Sequence, residues 1–231
     1  MDEMYVGWLG KENVAPRVIL TEGGSMTDIY VYNELAKDNN GNIKVDQSGN
    51  ISMSDSSTPT KVGDLDADFN LGWTNHFTYK GIDLGVVLSA RVGGLAYSAT
   101  QGILDYYGVS EASATARENG GIPINNGMVE AQKYYQTIGT GEGGYGRYYL
   151  YSATNVRLQE LSLNYTLPKK WFKNVANVTL GVVGRNLWMI YCKAPFDPEL
   201  SASTSSNYYM NVDYFMQPSL RNIGFNVKVQ F

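Results

Sequence analysis

The 231-residue chain has one cysteine, Cys192, and one histidine, His76. A single thiol cannot close an intramolecular disulfide and a single imidazole cannot build a multi-histidine metal site, so disulfide scaffolds and zinc folds are excluded. Lys and Arg number 18 against 22 Asp and Glu, for a formal charge of -4, and no basic cluster interrupts that balance. A nucleic-acid surface needs a basic stripe, so no nucleic-acid partner is expected. No run approaches the eighteen or so apolar residues of a membrane-spanning helix. The start, Met1-Asp2-Glu3-Met4-Tyr5, lacks the basic and apolar regions of an export signal.

What the chain does have is 18 Tyr, 7 Phe, 4 Trp and 25 Gly. That mixture favours strands and turns over helices. A mean hydropathy of -0.26 remains compatible with a strand-built membrane protein, whose hydrophobicity falls on every second residue.

Strict alternation is the clearest pattern. From Phe69 to Tyr79 the odd positions are Phe69, Leu71, Trp73, Asn75, Phe77 and Tyr79, opposed by Asn70, Gly72, Thr74, His76 and Thr78. From Ile82 to Val92 the even positions are apolar: Ile82, Leu84, Val86, Leu88, Ala90 and Val92. Only Lys80-Gly81 separates the two stretches. In a two-residue hairpin the flanking residues pair on one side, so Tyr79 and Ile82, both in the apolar phase, fix the same register as the hydrophobic pattern.

A third strand is expected over about 148–167. Val156 and Leu158 lie in one phase, and Leu161, Leu163, Tyr165 and Leu167 in the other. Either a β-bulge at Gln159-Glu160 restores one apolar face, or the buried side changes there. Pro168 stops this strand, and a fourth is expected over about Val175 to Tyr191, with a fifth from Arg221 to Phe231 carrying Ile223, Phe225, Val227, Val229 and Phe231 on one phase. Weaker strand signals lie at Arg17 to Leu20 and Asp28 to Glu34, and short helices are expected near Glu111 to Glu118, capped by Ser110, and near Met128 to Tyr135.

The connections alternate between short (80–81, 168–174) and long (38–60, 93–147, 192–220). Antiparallel strands would gather the short turns at one end and the long links at the other, as in outer-membrane barrels with short periplasmic turns and long outer loops. Trp171 and Phe172, beside Lys169, Lys170 and Lys173, suit an interfacial aromatic belt.

Several local patterns invite chemistry but carry little. Gly139-Thr140-Gly141-Glu142-Gly143-Gly144 matches G-x-G-x-x-G in letters, yet strand-like residues and not a helix are expected to follow. Asp64, Asp66 and Asp68 would share a face if extended, a conceivable calcium pattern with no further ligand fixed by spacing. His76 lies on a polar strand face without a nucleophile motif, and Asp197-Pro198-Glu199 reads as a turn more readily than as a glycosidase carboxylate pair. Tyr106, Tyr107, Tyr134, Tyr135, Tyr208 and Tyr209 in the long links either stack on a ligand or pack the loops together. No catalytic, cofactor-binding or metal-binding residue is assigned.

Gly184-Arg185-Asn186-Leu187-Trp188, Asp197-Pro198-Glu199 and the run Pro218-Ser219-Leu220-Arg221-Asn222-Ile223-Gly224-Phe225-Asn226-Val227 together resemble the C-terminal end of SusC/RagA-type TonB-linked outer-membrane transporters. The stretch Val156 to Pro168, and Asp68-Phe69-Asn70-Leu71-Gly72-Trp73 with Tyr79-Lys80-Gly81, resemble the same family in the same order. The resemblance implies an all-β fold in which an antiparallel meander of about five to seven long strands forms part of a 22-stranded transmembrane β-barrel. Residues 1–231 would be a C-terminal part of the barrel domain, with the export signal, the TonB-engaging segment and the plug lying outside them. It implies outer-membrane lipid, a SusD-like surface lipoprotein, the TonB complex and the barrel-assembly machinery as partners, and an oligosaccharide or other nutrient oligomer as substrate. Phe225, Val227, Val229 and Phe231 would close the barrel and be read during assembly. Asp46-Gln47-Ser48-Gly49-Asn50 departs from the more acidic, calcium-like pattern of many relatives.

Without reference to the family, five to seven strands are too few to close a solute-sized lumen, and an open sheet leaves unpaired edges in lipid. The alternative from another class is a secreted β-sandwich carbohydrate-binding module, with a hydrolase third. Burial separates the first two: a barrel wall exposes Phe69, Leu71, Trp73, Leu84 and Val86, whereas a sandwich covers them.

Overall fold

The computed structural model describes residues 4–10, 13–55, 58–199 and 211–230. In chain order the strands are β1 Met4–Trp8, β2 Arg17–Leu20, β3 Asp28–Val31, β4 Thr60–Asp64, β5 Phe69–Tyr79, β6 Ile82–Val92 and β7 Leu95–Ser98. After helices α1 Ala99–Tyr106 and α2 Glu111–Glu118 come β8 Ile122–Ile124, β9 Gly127–Val129, α3 Ala131–Ile138, β10 Gly139–Thr140, β11 Gly143–Gly144 and α4 Gly146–Tyr149. The chain continues through β12 Leu150–Ser152, β13 Asn155–Thr166, a 3-10 turn Lys169–Phe172, β14 Asn177–Cys192, β15 Val212–Asp213 and β16 Asn222–Gln230. These elements form two compact units: a sheet unit of 67–93, 153–197 and 217–231, and a loop unit of 1–66, 94–152 and 198–216.

The sheet unit is one antiparallel five-stranded sheet in the order β16-β14-β13-β6-β5. The 69–79/82–92 hairpin forms in the expected register, Tyr79 opposite Ile82 and Phe69 opposite Val92. Lys80 and Gly81 both take positive φ, 47° and 86°, which is the type I′ turn that matches strand twist. The phase flip in β13 is a β-bulge: Gln159 is skipped in the pairing with both β6 and β14. The bulge returns Val156, Leu158, Leu161, Leu163 and Tyr165 to one face. Antiparallel pairing sets the turns after β5 and after β13 at one end of the sheet and the long links at the other.

The loop unit holds four helices among its described residues, against the two short ones expected within an all-β fold. Its core joins Leu9, Val18, Ile29, Leu35 and Ile51 from the first third of the chain to Tyr97, Ala116, Ile138, Tyr149 and Val212. The weak strands at 17–20 and 28–31 belong here, in the sheet β1-β2-β3-β4. α2 occupies the expected span, and the Ser110 hydroxyl accepts the Ser113 N–H at 3.0 Å as its N-cap. The helix expected at 128–135 starts at Ala131 instead, because Gly127–Val129 pairs with Ile122–Ile124 across Asn125, whose φ is 53°. The strand expected from 148 starts at Asn155. Tyr149 is withdrawn into the loop core, and Leu150–Ser152 pairs with β7 instead.

The link at 38–60 is also ordered locally. Two turns eight residues apart, Asp38 to Asn42 and Asp46 to Asn50, repeat one design: Asp38 accepts the N–H groups of Asn40 and Asn42, and Asp46 those of Ser48 and Asn50. The backbone bonds from Asn42 and Asn50, foremost, hold both carboxyls below their ordinary values.

Candidate functional site

The sheet presents chemically opposite faces. On one, pairing aligns Phe77, Leu84, Leu163, Val182 and Phe225 in a row across all five strands, and Tyr79, Ile82, Tyr165, Leu180 and Val227 in the next. Side chains across this face are exposed among the described residues: Leu71 is 59% exposed, Trp188 62% and Phe225 82%. A sandwich would bury such rows under a second sheet. Phe69, Leu71 and Trp73 are exposed as a barrel wall requires, while Leu84 and Val86 are half-buried between neighbouring side chains. Each eleven-residue strand of the hairpin is the length that crosses a bilayer core when tilted. Tyr79 and Tyr165 mark the short-turn end, where Trp171 is also 69% exposed among three lysines.

The opposite face is polar. One row runs Thr78, Asp83, Asn164, Gly181, Asn226, and the next His76, Gly85, Ser162, Val183, Gly224. His76 therefore sits among small residues, in contact distance of where a Gly85 Cβ would stand. Gly181 leaves room for its neighbours, since a Cβ there would collide with Asn164 and Asn226. Thr78 donates to Asp83 at 2.8 Å and Arg185 to Glu160 at 2.8 Å, so the face is laced by cross-strand bonds.

At the long-link end of the sheet lies a network that reading along the chain missed. Arg157 donates from Nη2 to Asp197 Oδ1 at 2.7 Å and from Nη1 to Oδ2 at 3.3 Å, and from Nε to Asn155 at 3.2 Å. Both ion-pair side chains are buried, at 4% and 7% exposure. The Ser219 hydroxyl donates to Asp197 Oδ2, and Asn186, at a φ of 52°, donates to Ser219 Oγ at 2.7 Å. Asp197 is thus committed to fastening β13, β14 and the approach to β16, and is not free for acid or base work. The signal in the sequence was that Arg157, Asn186, Asp197 and Ser219 fall within the stretches that carry the family resemblance.

The remaining candidates separate. The neighbouring Asp28 carboxyl, foremost through a side-chain hydrogen bond, holds the Asp64 carboxyl above its ordinary value. Burial acts to raise Asp28 too, but bonds from Asp64 and from Lys61, 2.7 Å away, outweigh it and hold Asp28 low. Asp66 accepts from Thr27 at 3.1 Å, and Asp68 stands beside Gly93. Among the described residues no three His, Cys, Asp or Glu side chains gather as a metal site. The Gly139–Gly144 run forms the small β10-β11 ladder against α1: a Cβ on Gly102 would strike Gly143, and one on Gly144 would strike the Tyr149 ring. These glycines serve close packing. Tyr106 with Tyr107, and Tyr134 with Tyr135, form edge-to-face pairs at 5.1 and 5.2 Å. Tyr135 is buried and Tyr107 is exposed. Tyr208, Tyr209 and Phe231 lie outside the described residues.

No protein-family model matches the chain. The chain is 28% identical over 194 residues to TonB-dependent receptor P3 of Formosa agariphila, a match covering 81% of this chain and 18% of that protein. The RagAB peptide importer in its open-open state superposes with a TM-score of 0.60 at 15% identity, over 94% of this chain and 25% of the importer chain. Its closed-closed state gives 0.55 at 17% identity over 94% and 26%. The chain resembles part of a SusC/RagA-type TonB-dependent transporter. It spans about a fifth of the curated relative's length. The superposition supports the fold, a five-stranded antiparallel sheet with alternating faces.

Proposed function

We propose that the chain is a C-terminal section of the 22-stranded barrel domain of a TonB-dependent outer-membrane transporter. The transporter imports oligosaccharides or other nutrient oligomers together with a SusD-like surface lipoprotein. The observation that carries this reading is the uncovered apolar face running through all five long strands, opposite a polar face. A water-soluble protein rarely exposes so large a contiguous apolar surface, whereas a lipid-facing wall with a polar lumen requires it. Barrels of this size are plugged, so energy from the TonB complex would reach the substrate through the plug and not through this section. The section supplies wall and outer loops, and no catalytic step is assigned to it.

β16 is an edge strand of the sheet, and its exposed Phe225, Val227 and Val229 continue the lipid-facing rows. Pairing of this edge with the first strand of the barrel would remove it, as lipid demands. Phe225, Val227, Val229 and Phe231 are the residues we assign to closure and to recognition by the barrel-assembly machinery. Fractionation tests the reading: the full-length protein should be found in the outer membrane, and deletion of Phe231 should lower its amount there. A soluble monomer that unfolds cooperatively without detergent would defeat the proposal, and unchanged abundance after the deletion would remove the assembly role.

A further inference from the structure

Helices α1, α2 and α3 of the loop unit line a cavity of about 310 Å³. Its size suits a small ring-shaped group. Two charged side chains border it, in different states. Asp105 is spent: it is buried, and its oxygens accept from Gln101 Nε2 at 2.8 Å and from the Tyr149 hydroxyl at 3.0 Å. Arg117 is not. Its Nη1 donates to the Gly108 carbonyl at 2.8 Å and lies 3.5 Å from Ser113 Oγ, while among the described residues Nε and Nη2 have no partner and no carboxylate pairs with the guanidinium. The free Nε–Nη2 edge is the one that takes a carboxylate through two parallel bonds.

The other lining groups narrow the class of ligand. Tyr107 is 65% exposed and its plane is set by the edge-to-face contact with Tyr106. Gln132 and Gln136, one turn apart on α3 and both exposed, bring two amides to the same cavity. An aromatic plane beside paired amides suits a ring bearing vicinal hydroxyls. A peptide would be better served by a free strand edge or an apolar side-chain pocket.

We infer that this cavity binds an acidic sugar, a uronate unit of an oligosaccharide, through its carboxylate on Arg117, its ring on Tyr107 and its hydroxyls on Gln132 and Gln136. The inference rests on the importer reading and adds to it a substrate class and a contact site in the outer loops.

The test is calorimetric titration of the full-length protein in detergent with trigalacturonate, maltotriose and trialanine. Trigalacturonate should bind about tenfold or more tightly than maltotriose, and Arg117→Gln should remove about tenfold of that affinity while leaving maltotriose unchanged. Because Arg117 also holds Gly108, two exposed changes supplement it: Tyr107→Ala and Gln132→Ala should each weaken trigalacturonate severalfold. Equal affinity for the acidic and neutral trisaccharides, no binding of trigalacturonate, or full affinity in all three variants overturns the inference. So does tighter binding of trialanine, which would make the ligand a peptide carboxylate. Failure of the importer reading shows separately, as absence of the protein from the outer-membrane fraction, whichever probe binds.

Discussion

In the loop unit Val18, Ile19, Ile29 and Tyr97 are withdrawn from solvent altogether, whereas in the sheet unit Leu71, Trp73, Phe77 and Phe225 stand about half exposed or more. The residue types are alike, and on the proposed function the difference is the medium each is built for. The loop unit hides apolar groups by packing pieces distant in sequence, as a water-soluble domain does. The sheet unit turns them outward in rows and keeps its polar groups on the other face, the pattern that the proposed lipid-facing wall requires. A change that is harmless in one unit should therefore be damaging in the other.

The largest effect is expected where the sheet unit breaks its own pattern and buries charge. Arg157→Met would remove the guanidinium bound to Asp197 at 7% exposure, and breaking a buried pair from one side costs about 3–5 kcal/mol. The double change Arg157→Met with Asp197→Leu should recover most of the loss, because it removes both members of the buried pair together. Denaturant unfolding of the full-length protein in detergent reads both. If the single change costs under about 1 kcal/mol, the network is not fastening the three strands.

The second expectation sets the two kinds of apolar residue against each other. Ile29→Ala in the loop core should cost about 2–5 kcal/mol, since it opens a cavity. Leu163→Ala on the sheet should cost well under half of that, because lipid fills the space. Leu163→Arg should reverse the order, at about 2–4 kcal/mol for a cation near the bilayer centre, while Ser162→Arg on the polar face should be mild. Equal penalties for Leu163→Arg and Ser162→Arg would remove the distinction between the faces.

The two units were also unequally legible. In β5, β6 and β16 the period of two is strict, so strand limits, hairpin register and the outward face could all be read from residues close in sequence. Even the bulge at Gln159 showed as a change of phase, although the pattern alone left a change of buried side equally open. The loop unit offered no such period. α1 went unseen because its turn of apolar residues is short and its cap, Ser98, also bonds Asp213, 115 residues away. Tyr149 looked like strand because it follows Tyr148 and precedes Tyr151, and contacts remote in sequence draw it inward, the bond to Asp105 and the packing of the loop core. The Arg157–Asp197 pair was hidden for the same reason, being separated by 40 residues. Local periodicity records a strand, and contacts between remote segments leave almost no local mark.

The smallest effect sharpens the comparison through tyrosines. Tyr97 donates its hydroxyl to the Gly144 carbonyl at 2.7 Å and accepts the Gly144 N–H at 3.0 Å. Burial pushes its phenol up to about 12, and does the same to Tyr151, while Tyr149 is raised further by burial and by the neighbouring Asp105. Because these phenols ionise less readily folded than unfolded, the stability they contribute is complete below the ordinary tyrosine value near 10. It is lost as pH rises from there through about 12, when the unfolded chain releases protons that the folded one still holds. Absorbance at alkaline pH should accordingly show two phases, with the loop-core tyrosines titrating in the upper one as the loop unit opens. Tyr97→Phe should take one tyrosine out of that upper phase and cost about 1–3 kcal/mol for the buried groups of Gly144 left short of a partner. The sheet face should be indifferent to the change, so a loss of Trp73 or Trp188 lipid contact in the same variant, read by quenching from brominated lipid, would mean that the two units do not answer to separate rules.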